Sequence, residues 1–104
     1  MDPVLFHNNE EGRQAFVDLA SRAVLWIADY YRNIENYPVR SQVLPGDIYK
    51  QFPAQFPAQP VTDDEVFRIL QEVIIPGMTH WQHPGFYAFF PGNTSFPSIV
   101  AEMV

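Results

Sequence analysis

Two histidines, His80 and His83, lie three residues apart on either side of Trp81. On a helix, imidazoles at this spacing could share one metal ion. Pro84 and Gly85 follow directly and argue against a helix, and no recognisable motif supplies a third ligand. We therefore expect no metal site here and assign both histidines ordinary polar or hydrogen-bonding roles.

Serine is the other residue type that invites a catalytic interpretation. Ser95 and Ser98 lack the strand–turn–helix glycine context that exposes a nucleophilic serine, and Ser95 is more simply a helix N-cap. The chain contains no cysteine, which excludes disulfides, thiolate metal sites and a cysteine nucleophile. Gly85 and Gly92 each stand alone beside a proline, so that no glycine-rich phosphate loop is predicted.

Aromatic side chains cluster after Trp81, in a run cut by Pro84 and Pro91. They either fill a core, which composition alone favours, or form a flat apolar slot for an aromatic ligand. Proline restricts the backbone and so lowers the entropy lost on binding, which suits the second interpretation. Composition leaves both open. The run comprises Phe86, Tyr87, Phe89 and Phe90.

The first element that must position these residues is a helix predicted over residues 9–36, where apolar side chains recur at steps of three and four. Asn8 is a suitable N-cap, and Asp18 and Arg22 are spaced as an i, i+4 pair. The apolar arc also includes Val17 and Trp26, which makes it wider than a two-layer monomer needs. We therefore expect this helix to contact another polypeptide.

Five prolines between residues 37 and 61 predict an extended connector, because proline removes backbone donors and interrupts helices. Within it, Pro45–Gly46 predicts a tight turn. A second helix is predicted over residues 62–75, where Thr62 and Glu65 have the spacing of a capping box and Pro76 follows the last apolar residue.

An aromatic loop is predicted over residues 76–94, and a third helix begins near residue 95. The segment 95–104 has helical composition but no C-terminal cap, so we expect the chain to stop inside that element. The predicted fold is mainly α, with two to three helices and a proline-rich extended connector. It is not expected to be an independent compact domain.

Charge and composition exclude several classes of function. Six Lys and Arg against twelve Asp and Glu leave a formal net charge of -6 over 104 residues, which opposes nucleic-acid binding. The apolar runs are short, and the N-terminus lacks the features of a signal peptide. We expect no membrane span and no export, with a cytoplasmic location as the default.

A resemblance to a known family extends over nearly the whole chain. Residues 74–91 read IIPGMTHWQHPGFYAFFP, and NTSFPS at 93–98 and AEM at 101–103 follow. In this order the motifs resemble the N-terminal segment of the group II pyridoxal-phosphate-dependent aromatic-L-amino-acid decarboxylases, which act on dopa, tyrosine, tryptophan or histidine. The first helix with Arg13 and Tyr30, the Pro45–Gly46 turn, the step at residues 52–54 and the helix at residues 63–75 occur in matching order.

The resemblance implies that this segment is the N-terminal flap of a fold-type I, aminotransferase-like enzyme. In that family the flap packs on the partner subunit of a homodimer, and the cofactor is pyridoxal 5'-phosphate. The substrate-binding positions carried over from the family are Trp81, Phe89, Phe90 and Pro91. Phe86 and Tyr87 are left as packing or pocket edge.

The chain departs from the family at two of its pocket positions. Phe89 stands where dopa decarboxylases carry tyrosine, and Gly92 stands where they carry a hydroxyl residue. Both changes remove hydrogen-bonding groups, which disfavours dopa and is compatible with a larger or less polar ring such as indole.

The family's chemistry also needs groups that these residues do not supply. It uses a lysine that forms a Schiff base with the cofactor, a ring-stacking histidine and an acidic partner for the pyridine nitrogen. Lys50 is the only lysine and lies in the connector, outside any such motif. We expect the cofactor-binding and C-terminal domains to be absent, so that these residues alone neither bind the cofactor covalently nor catalyse.

Two alternatives remain open from the sequence. The chain is either part of the decarboxylase or a catalytically inert helical dimerisation and interaction module. Aldehyde-forming relatives share this segment too, and the residues that separate their reaction from decarboxylation lie outside it.

Overall fold

The computed structural model describes residues 4, 7–89 and 91–104. Helix α1 covers Glu10–Arg32, helix α2 covers Asp63–Ile69 and helix α3 covers Phe96–Met103. One-turn 3-10 helices lie at Ile34–Asn36 and Tyr49–Gln51. The described residues contain no β-strand, so the mainly α prediction is confirmed.

Helix α1 begins one residue later than its predicted N-cap. The cap is Asn9, whose side chain accepts a hydrogen bond from the Gly12 N–H, so the prediction of Asn8 was wrong. The sequence Asn8-Asn9 offers the same chemistry twice, and the backbone of Asn9 has the extended conformation that an N-cap requires. The α-helix ends at Arg32, and a separate 3-10 turn follows Asn33 instead of a continuous helix to residue 36.

The helical backbone continues past the end of α2 at Ile69 in a changed register. A π-helical stretch covers Leu70–Ile74, and a 3-10 turn covers Ile75–Gly77. Pro76 has no N–H, and its ring crowds the carbonyl one turn earlier, which favours a wider turn at this point. At the other end Thr62 caps the helix by accepting from the Glu65 N–H. The Glu65 carboxylate binds Arg68 rather than completing the predicted capping box.

An ion pair between α1 and α2 takes the place of the pair predicted within α1. Arg22 does not bind Asp18; its guanidinium donates to Asp64 of α2 at 2.6 Å and lies 4.3 Å from the centre of the Phe67 ring. Asp18 instead accepts from Gln14 one turn earlier on α1. A carboxylate on α2 therefore replaces the predicted carboxylate on α1 as the partner of Arg22.

Few side chains are fully enclosed. The buried hydrophobic residues are Ile34, Val73 and Ile75, and the one buried polar residue among the described ones is His80. The radius of gyration is 16.5 Å, against about 13 Å for a compact domain of this length. Among the described residues no helix is both long and apolar enough to cross a lipid bilayer.

Candidate functional site

The predicted site lies on a loop that follows the end of α2. Within this loop the His83 N–H donates to the carbonyl of His80, and the Phe86 N–H donates to that of His83. The side-chain amide of Gln82 donates to the Gly92 carbonyl at 3.0 Å. This last hydrogen bond ties the two ends of the segment 82–92 together. From here on, the name aromatic loop is used for residues 81–92, which lie within the loop predicted over residues 76–94.

Two of the predicted substrate-binding residues come together as a stack. The rings of Trp81 and Phe89 lie 6.2 Å apart between centroids, with planes inclined by 29°. Phe86 stacks on Trp81 as well, at 5.8 Å and 16°. Trp81 is 54% exposed and Phe89 is 77% exposed, so both rings present surface to the outside. The aromatic run is therefore a partly open stack rather than a buried core.

The backbone of Phe89 is in a sparsely populated conformation. Its φ is 58°, and it is the only non-glycine residue with a positive φ among the described residues. A bulky side chain in this region costs free energy, and such strain is found where surrounding structure fixes a residue for a function. The Trp81–Phe89 stack and the Gln82–Gly92 hydrogen bond are the contacts described on either side of this residue.

The remaining predicted positions are less informative. Pro91 follows the stack and is half-buried. Phe90 lies outside the described residues. Tyr87 is 91% exposed and makes no ring contact with the stack among the described residues. The structure therefore joins Trp81 and Phe89 directly and leaves Tyr87 apart from them.

The loop begins from a buried hydrogen bond that sequence analysis did not predict. Nδ1 of His80 lies 2.6 Å from the hydroxyl of Tyr30 on α1, and His80 is only 2% exposed. The backbone N–H of His80 also donates to the carbonyl of Val39 at 2.9 Å. His80 is thus held through both its ring and its backbone.

The surroundings of the pair shift the pKa values of both His80 and Tyr30. Burial lowers the pKa of His80, and the nearby His83 lowers it further. Burial also raises the pKa of Tyr30, as do the neighbouring hydroxyls of Tyr31 and Tyr37. Both shifts favour the neutral forms, in which the tyrosine O–H donates to an unprotonated Nδ1 or a protonated Nδ1 donates to the tyrosine oxygen.

A second polar chain joins α1 and α2 beside this pair. The indole N–H of Trp26 donates to the side-chain carbonyl of Gln71 at 3.1 Å, and the amide of Gln71 donates to the Tyr37 hydroxyl at 3.2 Å. The Tyr37 ring stacks on His80 at 5.0 Å. Trp26 and Tyr30 share one face of α1 at a spacing of four, which is the only sequence signal for this cluster.

An open groove of about 600 Å³ runs between α1, the end of α2 and the start of the loop. Its lining is mostly apolar and aromatic, and Trp81 forms part of one side. The other lining residues are Trp26, Ile27, Tyr30, Tyr31, Leu70, Ile75, Met78, Thr79, Gln82 and Ile99.

The described residues offer no place for a metal ion or for pyridoxal phosphate. They contain no group of three His, Asp or Glu side chains that could hold a metal. Lys50 lies exposed on the turn Tyr49–Gln51, with no ion pair among the described residues. Among the described residues, no buried amine and no phosphate-binding loop lies beside Lys50. The residues present therefore do not fit the cofactor.

Comparisons with known proteins agree on one family. Residues 45–104 match the pyridoxal-dependent decarboxylase conserved domain. The chain is 45% identical over 91 residues to an aromatic-L-amino-acid decarboxylase of Catharanthus roseus, an alignment covering 88% of this chain and 18% of that protein. It is 46% identical over 79 residues to a phenylacetaldehyde synthase of Arabidopsis thaliana, covering 76% of this chain and 16% of that protein.

A solved structure has the same fold in the matching part. The crystal structure of Catharanthus roseus tryptophan decarboxylase in complex with L-tryptophan superposes with a TM-score of 0.85 at 44% identity. That superposition covers 94% of this chain and 20% of the crystallised one. The chain therefore spans about a fifth of the length of the proteins it matches.

Proposed function

Because the chain belongs to the pyridoxal-dependent decarboxylase family, we propose that it is the N-terminal part of an enzyme that converts an aromatic L-amino acid into its amine and carbon dioxide. Within that enzyme these residues form one wall of the substrate pocket and part of a homodimer interface. Pyridoxal 5'-phosphate and the catalytic groups belong to other parts of the enzyme, and the enzyme is cytoplasmic. The domain organisation predicted from the sequence, an N-terminal helical dimerisation segment, is part of this proposal.

The observation that carries the proposal is the exposed stack of Trp81 on Phe89. Flat apolar rings with free surface bind the aromatic side chain of a substrate by stacking and exclude water from it. The loop that carries them is closed by the Gln82–Gly92 hydrogen bond, so little ordering remains for substrate binding to impose. Phe90 and Pro91 complete the proposed substrate-binding set.

The dimer surface is proposed from the outer face of α1. Phe16 is 63% exposed and Leu25 is 67% exposed, and Val17 and Val24 lie on the same helix with 40% and 45% exposure. Apolar side chains exposed along one helix are typical of a surface that another polypeptide covers. A second subunit of the same enzyme is the proposed occupant, since most soluble oligomers are symmetric homo-oligomers.

The test uses a hybrid enzyme. This chain replaces the matching segment of the Catharanthus roseus tryptophan decarboxylase, whose fold in that segment is the same. We expect the hybrid to form tryptamine from L-tryptophan, and Trp81→Ala to raise KM by about tenfold or more, since a large stacked ring is lost. Tyr49→Phe is the matched control, because Tyr49 is 84% exposed and far smaller effects follow from losing its hydroxyl.

The outcome that overturns the proposal is equally definite. A folded, cofactor-loaded hybrid that yields neither amine nor aldehyde would leave the inert dimerisation module as the better description. An active hybrid in which Trp81→Ala matches the Tyr49→Phe control would remove Trp81 from the substrate pocket.

The substrate preference is tested in the same hybrid. Phe89 supplies no hydroxyl, and Gly92 has no side chain, so the pocket wall offers no side-chain hydrogen bond to a catechol at these two positions. We propose a preference for indole over dopa. Phe89→Tyr should raise kcat/KM for dopa relative to tryptophan by about fivefold, the usual scale of one hydrogen bond. Equal or better activity on dopa before substitution would contradict the preference.

A second candidate activity is aldehyde formation. It is favoured by the 46% identity to the Arabidopsis thaliana phenylacetaldehyde synthase. In that case this segment would bind the same class of substrate, and residues elsewhere in the enzyme would decide the product. Measuring aldehyde beside amine in the enzyme that naturally carries this segment distinguishes the two.

A further inference from the structure

We propose that Tyr30 and His80 are positioning residues for Trp81, so that a hydrogen bond from helix α1 sets how the pocket wall meets the substrate. The inference rests on the proposed function, in which Trp81 contacts the substrate. Neither residue is itself assigned to substrate binding. Their effect passes through the backbone, because His80 is the residue directly before Trp81.

Tyr30 and His80 are in direct contact although they are far apart in the sequence. The Tyr30 hydroxyl and the His80 Nδ1 are 2.6 Å apart, across 50 residues of sequence. His80 is 2% exposed, whereas Trp81 is 54% exposed. The chain therefore passes from an enclosed residue to an open one within a single peptide unit. Whatever fixes His80 fixes the starting point of the Trp81 side chain.

The imidazole of His80 has little freedom to move. The Tyr37 ring stacks on it at 5.0 Å with an interplanar angle of 26°, and the Tyr30 ring lies at 5.6 Å. Tyr30 is itself stacked on Trp26 at 5.4 Å. The stacked rings limit where the imidazole of His80 can lie, and the Tyr30 hydroxyl is the polar group that selects the orientation of that imidazole. A buried ring nitrogen without a hydrogen-bond partner would be costly.

The protonation state of His80 is set by its surroundings. Among the described residues, the titratable groups that shift the pKa values of the pair are Tyr31 and Tyr37 for Tyr30 and His83 for His80. None of these three is a carboxylate that would favour a protonated His80. Burial therefore favours a neutral imidazole, whose Nδ1 shares the hydrogen bond with the Tyr30 hydroxyl in either tautomer.

The rest of the loop cannot replace this anchor. Gln82 binds Gly92, and Trp81 stacks on Phe86 and Phe89, but all of these partners belong to the loop itself. They keep the loop's shape without joining it to α1. The Tyr30–His80 pair is the side-chain hydrogen bond that joins that shape to the helix.

The kinetic test uses the hybrid enzyme with L-tryptophan. Tyr30→Phe removes one hydroxyl and leaves His80 Nδ1 without its hydrogen-bond partner. We expect KM to rise by about tenfold while kcat changes by less than about twofold. His80→Asn retains an acceptor near the Nδ1 position and should keep KM within about threefold of the unsubstituted hybrid. His80→Leu, which has no acceptor, should match Tyr30→Phe, and Tyr49→Phe serves as the control.

The spectroscopic test uses the hybrid enzyme labelled with 5-fluorotryptophan and needs no activity. Trp81→Phe assigns the ¹⁹F resonance of Trp81 by its disappearance. Tyr30→Phe should move the Trp81 resonance toward the position of a free indole, because the ring leaves its stack on Phe86 and Phe89. Tyr49→Phe should leave it in place.

The outcomes separate this inference from the proposed function. An unsubstituted hybrid without activity overturns the proposed function. An active hybrid in which Tyr30→Phe changes neither KM nor the Trp81 resonance overturns the positioning inference alone. A rise in KM that His80→Asn shares in full also overturns it, since the retained acceptor should rescue binding.

Discussion

Two neighbouring regions of the molecule are built in opposite ways. The base comprises Ile34, Val73, Ile75 and His80, all less than a tenth exposed. The aromatic loop begins at the next residue, and its large rings at Trp81, Tyr87 and Phe89 are more than half exposed. A buried side-chain hydrogen bond holds His80 in the base, whereas ring stacking, short-range backbone hydrogen bonds and the Gln82–Gly92 bond hold the loop.

The comparison assigns a different task to each region. The buried residues fix the position of the loop, and the exposed rings provide the contact surface. A pocket wall needs exposed rings, but exposed rings on an unsupported loop would move and lose affinity. Placing a buried residue directly before Trp81 meets both needs. If this division holds, substitutions in the base lower the free energy of unfolding, and substitutions in the loop leave it nearly unchanged.

The largest effect is expected in the base, from Ile75→Ala. Ile75 is 3% exposed, so the substitution leaves a cavity that its neighbours fill only in part. We expect the free energy of unfolding to fall by about 3 kcal/mol. Urea unfolding followed by circular dichroism measures it.

The matched control for this substitution is Leu44→Ala. Leu44 is 71% exposed, so its loss should change the free energy of unfolding by about 0.5 kcal/mol or less. Equal effects of the two substitutions would contradict the division between base and surface.

The second prediction compares two glycines. A Cβ on Gly77, in the 3-10 turn Ile75–Gly77, would lie 2.7 Å from Cγ1 of Ile48, whereas a Cβ on Gly92 in the loop meets no atom within 4 Å. Gly77→Ala should lower the free energy of unfolding by about 1–2 kcal/mol through crowding. Gly92→Ala should leave it unchanged or raise it by about 0.5 kcal/mol, because alanine restricts the unfolded chain.

Thermal unfolding of the two variants checks the pair. Adding Ile48→Ala to Gly77→Ala should recover part of the loss, since the crowding atom is then removed. If Gly92→Ala were the more destabilising of the two, the loop would be a structural element rather than a tolerant surface.

Local patterns predicted the helices but missed the pairs that join them. The helical repeat of apolar residues, the N-cap at Ser95 and the role of Pro76 are all encoded within a few residues of sequence. Tyr30 belongs to the apolar repeat of the first helix and to the family resemblance, but neither predicts its contact with His80, which bridges 50 residues. No spacing rule reaches that far, because the turn geometry of the connector decides which residues meet.

The same reasoning explains the specific errors. Asn8 and Asn9 are chemically equivalent caps, and only the backbone conformation at residue 9 separates them. Arg22 has acidic residues available on its own helix and on α2, and the position of its guanidinium over the Phe67 ring favours the second. The strain at Phe89 has no sequence signal either, since phenylalanine is an unfavourable choice for positive φ.

The smallest effect is expected from Asp64→Asn, at the ion pair that joins α1 to α2 outside the base. Asp64 accepts from Arg22 at 2.6 Å, but its side chain is 88% exposed, so water and salt screen the pair. Asp63 is the control, because it also lies in the first turn of α2 and makes no ion pair among the described residues. Each substitution removes one charge from the same helix end.

The difference between Asp64→Asn and Asp63→Asn therefore isolates the bridge to Arg22. We expect about 0.5 kcal/mol or less in the free energy of unfolding, and no difference in 1 M NaCl, where the Debye length is about 3 Å. A difference above about 2 kcal/mol that persists in salt would mean that the two helices are held at their exposed end. The base would then not be the sole support of the loop, and the sharp division between the two regions would fail.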